Sequence, residues 1–300
     1  MTASAWTAGN LPDLSGRTVV VTGASSGIGA ATARALAVAG AHVVLAVRDP
    51  VKGDRVAEGI DGEAEVRPLD LADLASVRAF ARDWSGPLDI LVNNAGIMAV
   101  AEGRTVDGFE LHIGTNHLGH FALTTLLLPH LRDRVVTVSS LAAARGRIDL
   151  DDLNWERRRY RPWQAYCQSK LANLLFTHEL NLRLGEGGGS VVALSAHPGF
   201  AATPLQRRTG SRIQNHVLAP FTRAFAQSAE HGALPTLFAA TQEVPGGSYI
   251  GPDGGSRMRR SPVLVAPPAA ATDSGLARAL WDLSADLTGL NVNRSGANLS

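Results

Sequence analysis

Among 300 residues there is one cysteine, Cys167. A lone thiol excludes an internal disulfide and gives no sign of an oxidising compartment. Charge of one sign is lacking too, with 28 basic residues against 27 acidic, so the overall field gives no reason to expect nucleic acid or an anionic membrane as a partner. No run reaches the roughly 18 apolar residues that span a bilayer, and Met1 to Asn10 has neither a positive start nor a signal-peptide core. The expectation is a cytoplasmic protein. No third ligand accompanies His117 and His120, three apart on a helix, so no metal site is expected. A Pro/Ser-rich linker is also missing, and this length is therefore read as one domain.

What is present is alternation. Short runs rich in Val, Leu and Ile at 17–22, 42–47, 64–69, 88–92, 134–139, 190–196 and 247–250 alternate with helical patterns at 27–39, 50–59, 73–84, 105–130, 163–184, 222–241 and 274–289. This predicts an α/β protein, a doubly wound fold of about seven parallel strands flanked by helices. Tails at 1–13 and 291–300 bracket a single unit over 14–290. Such sheets bind ligands beyond the carboxyl ends of their strands, where strand order reverses.

The first turn from strand to helix reads Thr22-Gly23-Ala24-Ser25-Ser26-Gly27-Ile28-Gly29. Glycines let the turn tighten and let a dinucleotide's pyrophosphate approach the positive helix N-terminus. The second strand ends Ala46-Val47-Arg48, without the carboxylate that would hold the ribose hydroxyls of NAD. Arg48 is placed for a 2′-phosphate, which favours NADP(H); with Asp49 adjacent, NAD(H) is the alternative.

Tyr166 and Lys170 stand four apart at the head of an apolar-periodic run, which puts phenol and ammonium on one helix face. A cation there favours phenolate, so the pair reads as an acid/base device. Ser139 and Ser140 end the fifth strand, and spacing alone does not choose between them as a hydroxyl donor. Asn116 lies mid-helix, where asparagine is disfavoured, with Gly119 softening the same turn.

Thr-Gly-Ala-Ser-Ser-Gly-Ile-Gly at 22–29, Asn93-Asn94-Ala95-Gly96, Asn116 in Asn-His-Leu-Gly-His-Phe, Ser139-Ser140, Tyr166-x-x-x-Lys170 and Pro198-Gly199 occur in one order. Together they resemble the short-chain dehydrogenase/reductase family, most closely its retinol dehydrogenase-like and WW-domain-oxidoreductase-like branch. The resemblance implies hydride transfer between nicotinamide and a carbonyl or alcohol. Tyr166 would exchange the proton, Lys170 would lower the Tyr166 pKa and hold the ribose, Ser140 would polarise the substrate oxygen, and Asn116 would anchor a water-linked proton path. It also implies cofactor contacts at Gly23, Ser25, Ser26, Gly27, Ile28, Gly29, Arg48, Asp70, Leu71, Asn94, Ala95, Gly96, Pro198, Gly199, Ala201 and Thr203, with Asp70 meeting the adenine. A nucleotide-sensing regulator on the same fold is the alternative, although such relatives usually lack the Tyr-x-x-x-Lys pair that is intact here.

Two stretches are expected to wall a substrate pocket: 141–163, with Trp155, Tyr160 and Trp163, and 203–225, with Leu205, Ile213, Val217, Leu218, Phe221 and Phe225. Their aromatic and aliphatic character points to a hydrophobic small molecule. The resemblance further implies a homodimer or homotetramer through the helices at 105–130 and 163–184. Apolar positions within Leu171 to Leu182 suffice for two faces, one for the sheet and one for a partner.

Overall fold

The computed structural model describes residues 6–199, 221–253 and 261–290, with side chains at 221–228 outside that description. Valines at 19, 20 and 21 have no solvent exposure; such a continuous apolar run forms a strand buried on both faces. This is β1 (Thr18–Thr22). Then come α1 (Gly27–Val38), β2 (His42–Val47), α2 (Pro50–Ala57), β3 (Ala64–Pro68), α3 (Leu74–Arg82) and β4 (Leu88–Asn93). A broken helix follows as α4 (Leu111–Ile113), a π-helical turn (Gly114–Leu118) and α5 (Gly119–Leu127). The chain continues through β5 (Leu131–Val138), α6 (Pro162–Glu186), β6 (Val192–Ala196), α7 (Phe221–Thr241), β7 (Tyr249–Pro252), β8 (Pro262–Leu264) and α8 (Ser274–Thr288).

Strand order is β3-β2-β1-β4-β5-β6-β7-β8. The first seven run parallel, and order reverses between β1 and β4, which opens a crevice at the carboxyl ends of those strands. The eighth strand, antiparallel to β7, goes beyond the expected seven. It is three residues long and starts at a proline, a pattern that resembles a loop until an edge accepts it.

Helices α1, α2 and α7 cover one face of the sheet, and α3, α5 and α6 the other. Trp6, in the tail expected over 1–13, docks edge-on against Phe238 of α7, ring centroids 5.3 Å apart. The helix expected from 105 begins only at 111, because Arg104 and Glu110 close a turn through an isolated bridge. Among the described residues no helix is long and apolar enough to cross a membrane.

The second apolar face of α6 has an owner within the chain. Trp281 of α8 stacks on Phe176 at 5.7 Å and meets Phe121 of α5 edge-on at 4.9 Å, while the Arg183 guanidinium lies over its ring at 4.5 Å. Leu280 and Ala277 extend the contact along α6. Helix α8 thus covers part of the apolar surface between Leu171 and Leu182, while Leu182 stays 41% exposed.

Candidate active site

Positive φ values at Gly23 (67°) and Gly27 (57°) bend the chain from β1 into α1. A Cβ on Gly29 would strike the Asn94 carboxamide and the Gly23 carbonyl, so only glycine lets turn and β4 end approach so closely. Ser26 occupies the N-cap of α1 without a side-chain capping bond, which leaves the first-turn N–H groups directed at the crevice. Ser26 is exposed, Ser25 half-buried and Ile28 buried beneath the turn.

Thr22, the first residue of the glycine motif, organises the junction. Its Oγ1 accepts from Asn94 N and Ala95 N, each at 2.9 Å, and lies 2.9 Å from His120 Nε2. His120 Nδ1 is 3.0 Å from the Asn116 carbonyl and so carries the proton; Nε2 then accepts the Thr22 hydroxyl. Burial pulls His120 down to about 4, which keeps it neutral in that role. Asn94 Nδ2 also donates to the Thr22 carbonyl at 2.8 Å. Of the expected cofactor contacts, Asn94 ties the end of β4 to the glycine turn through its Nδ2, Ala95 packs on Gly23, and Gly96 lies against Asn116 and the Lys170 ammonium.

Asn116 sits in the π-helical turn. One extra residue per turn accommodates it, the local irregularity often found at functional sites. Its Oδ1 accepts from Ile97 N at 2.8 Å, and its Nδ2 donates to Ile97 O and Ser169 Oγ at 3.0 and 2.9 Å. Every polar atom of the side chain is used, so in this structure it secures the loop after Gly96.

Tyr166 and Lys170 lie on one face of α6, which Pro162 starts in its first turn. Lys170 is 4% exposed; its Nζ donates to Val138 O at 2.9 Å, and a Cβ on Gly96 would lie 3.4 Å from it. Burial draws the ammonium down to about 8. Burial also pushes the Tyr166 phenol above its ordinary value, and the hydrogen bond with Ser140 opposes that rise. Ser140 thus tempers the rise, while the Lys170 ammonium, expected to lower the phenol, donates to the Val138 carbonyl.

The two serines separate cleanly. Ser139 is 2% exposed and donates to the Lys170 carbonyl at 2.8 Å. Ser140 is half-buried, caps the following turn by accepting from Ala142 N at 3.2 Å, and faces Tyr166. Tyr249 of β7 stands near both Ser139 and Tyr166.

Arg48 is exposed at the end of β2. Asp49 beside it caps α2, accepting from Lys52 N at 3.2 Å and from Lys52 Nζ at 2.6 Å. Asp70 is half-buried and accepts from Ala72 N at 3.0 Å, and Leu71 is buried with its carbonyl against Gly119. Pro198 and half-buried Gly199 follow β6, where Gly199 N donates to His197 Nδ1 at 3.1 Å. Ala201, Thr203 and the expected pocket segment at 203–225 lie outside the described residues and side chains.

The aromatic wall expected at 141–163 divides in two. Trp155 is buried, with Arg158 stacked 3.9 Å over its ring, so it packs the insertion together instead of facing a pocket. Tyr160 turns its hydroxyl to Glu110. Trp163 is 45% exposed, and its ring lies 5.5 Å from that of Tyr166. Among the described residues of this stretch, Trp163 is the one that presents an open aromatic surface beside the phenol. Glu110 and His112, buried behind Tyr166, carried no motif signal.

Residues 17–214 match the family model described as short chain dehydrogenase. The chain is 44% identical over 295 residues to retinol dehydrogenase 13 of Homo sapiens, covering 92% of this chain and 86% of the relative. A crystal structure of a Mycobacterium paratuberculosis protein superposes with a TM-score of 0.85 at 53% identity, over 95% of this chain and 98% of the other. A short chain dehydrogenase from Burkholderia cenocepacia in complex with NADP gives 0.61 at 28% identity, over 81% and 98%.

Proposed function

This chain belongs to the short chain dehydrogenase family, and from that premise we propose that it is an NADP(H)-dependent oxidoreductase acting on a carbonyl or alcohol of a hydrophobic small molecule. One observation carries the reading: Tyr166 and Lys170 share a face of α6, with Ser140 near enough to temper the phenol and the Lys170 ammonium resting against Gly96.

The residues present fit a nicotinamide dinucleotide. The glycine cradle leaves no room for side chains, and the α1 N-terminus is uncapped; both suit a pyrophosphate. Lys170 uses one of three donors on Val138 O, which leaves two for ribose hydroxyls. Arg48 would hold a 2′-phosphate, and Asp49, occupied by Lys52, does not compete for it. Asp70 retains one carboxylate oxygen for the adenine. The cofactor, when bound, supplies or accepts the hydride.

The chain's own work is proton chemistry and positioning. Ser140 donates to the oxygen that gains charge as a carbonyl is reduced, and Tyr166 delivers the proton. A phenol held above its ordinary pKa is protonated at neutral pH, which suits reduction. Trp163 beside Tyr166 offers an apolar surface, and the similarity to human retinol dehydrogenase 13 agrees with a lipophilic substrate.

The test is fluorescence titration with NADPH and NADH, then turnover of a panel of hydrophobic aldehydes, ketones and alcohols. Tyr166→Phe is expected to lower kcat by about 10²–10⁴-fold with nucleotide affinity unchanged. Tight NADPH binding with no turnover across the panel would favour the nucleotide-sensing reading instead.

A further inference from the structure

Glu110 is 1% exposed and His112 not at all, yet neither belongs to the proton chemistry above. A buried carboxylate is costly unless its oxygens are fully satisfied. Here four donors converge on it. Oε2 accepts from Ile113 N at 2.8 Å; Oε1 accepts from His112 N at 2.9 Å, His112 Nδ1 at 2.7 Å and the Tyr160 hydroxyl at 3.1 Å. Burial works against its charge, and the bonds from His112 and Ile113 outweigh that and hold Glu110 below its ordinary value.

The cluster reaches the loop that follows Gly96. His112 Nε2 accepts from Val100 N at 3.3 Å, and the Tyr160 hydroxyl lies 3.4 Å from Val100 O. Asn116 holds the other end of that loop through both polar groups of Ile97. Between the two anchors, Ala99 takes a φ of 49°, unfavourable for a residue with a Cβ. Met98 packs on Tyr166 and Cys167, and the His112 ring meets the Tyr166 ring edge-on at 6.2 Å. Glu110 N also donates to Asn154 Oδ1 at 3.0 Å, tying the insertion to the same point.

We propose that Glu110, acting through His112 and Tyr160, is a positioning device that clamps the Ile97–Val100 loop and the 150–161 insertion against Tyr166 and thereby sets the fit of the carbonyl substrate. The substrate part rests on the function proposed above. None of the clamp's hydrogen bonds reaches the glycine cradle or Arg48, so its effect should fall on substrate much more than on nucleotide. A carboxylate is required because every group facing it is a donor. Glutamine would turn an NH₂ towards either Ile113 N or the His112 and Tyr160 donors.

Tyr160→Phe removes one donor and keeps the ring. It should raise KM for the carbonyl substrate about tenfold, a loss of about 1.4 kcal/mol, while Kd for NADPH and kcat stay within about twofold. Glu110→Gln should do the same more strongly. The double variant should be no worse than Glu110→Gln alone, because both act through one unit.

Cys167, 1% exposed and the chain's single thiol, gives a readout independent of activity. Loosening the loop and insertion should speed its labelling by a thiol reagent at least about tenfold in both variants, under conditions where the global fold is retained. Additive effects, unchanged labelling, or a loss of NADPH affinity equal to that of substrate would each overturn the clamp. Faster labelling in a protein whose wild type turns over no carbonyl would support the clamp and defeat the proposed function.

Discussion

Ser139 and Lys170 are stitched crosswise. The serine hydroxyl donates to the lysine carbonyl at 2.8 Å, and the lysine ammonium donates to Val138 O, one residue before that serine, at 2.9 Å. The end of β5 and the middle of α6 are thus locked together, and Ser140 is left to face Tyr166.

Ser140→Ala should cost about 10²–10³-fold in kcat, the range for removing one donor to a developing oxyanion. Ser139→Ala should cost about 1 kcal/mol of stability for a lost buried hydrogen bond, with a much smaller effect on kcat. Steady-state kinetics beside thermal melts separate the two; equal kcat losses would defeat the assignment.

Arg48→Ala should weaken NADPH binding about 10–100-fold, the worth of one or two charge-assisted hydrogen bonds. NADH affinity should hardly change. Titration with both nucleotides decides it, and parallel losses would mean that Arg48 does not read the 2′-phosphate.

Reduction and oxidation should respond to pH in opposite directions. Reduction draws on the protonated Tyr166, and burial holds that proton on, so its rate should fall only in the alkaline range. Oxidation needs the phenolate and should rise over the same interval. Rates measured in both directions from pH 6 to 10 check this; a common pH profile would exclude Tyr166 as the proton exchanger.

Acid should destabilise the fold through its buried imidazoles. Burial takes His117 to about 3, and His120 and His197 to about 4, against 6.5 in an open chain. Between about pH 4 and 6.5 the unfolded state binds more protons, so stability rises with pH across that window and is lost on acidification. Each residue should contribute on the order of 1 kcal/mol at pH 5. Melting temperatures from pH 7 to 4.5 measure the slope, and His117→Phe should flatten it. Lys170, taken to about 8 from 10.5, adds a rise of the same sign between those values.

Trp281→Ala should cost about 3–5 kcal/mol, the usual penalty for deleting a large buried aromatic. It should also expose the apolar face of α5 and α6. Sedimentation is expected to show no self-association through that face in the wild type. A dimer that buries α5 and α6 against a second copy, with α8 displaced, would contradict the intrachain cover.

The α/β alternation and the glycine turn were readable from the chain because each is local: runs such as Val19-Val20-Val21 form strands buried on both faces, and Gly23, Gly27 and Gly29 are required by the turn itself. Tyr166 and Lys170 share a face by helical spacing alone. The late start of the helix at Leu111, the three-residue β8 and the burial of Trp155 were not readable. Each depends on a neighbour distant in sequence: the Arg104–Glu110 turn, the β7 edge, the Arg158 guanidinium.

By itself the sequence determined the strand-turn-helix order, the cradle for a dinucleotide and the pairing of phenol with amine, since these follow from backbone sterics and helical periodicity over a few residues. Only the tertiary structure decided which serine faces Tyr166, that α8 takes the second face of α6, and that Glu110, His112 and Tyr160 meet behind the site. Burial, hydrogen-bond saturation and ring contacts between remote segments carry those decisions, and no local pattern encodes which donor will find which acceptor.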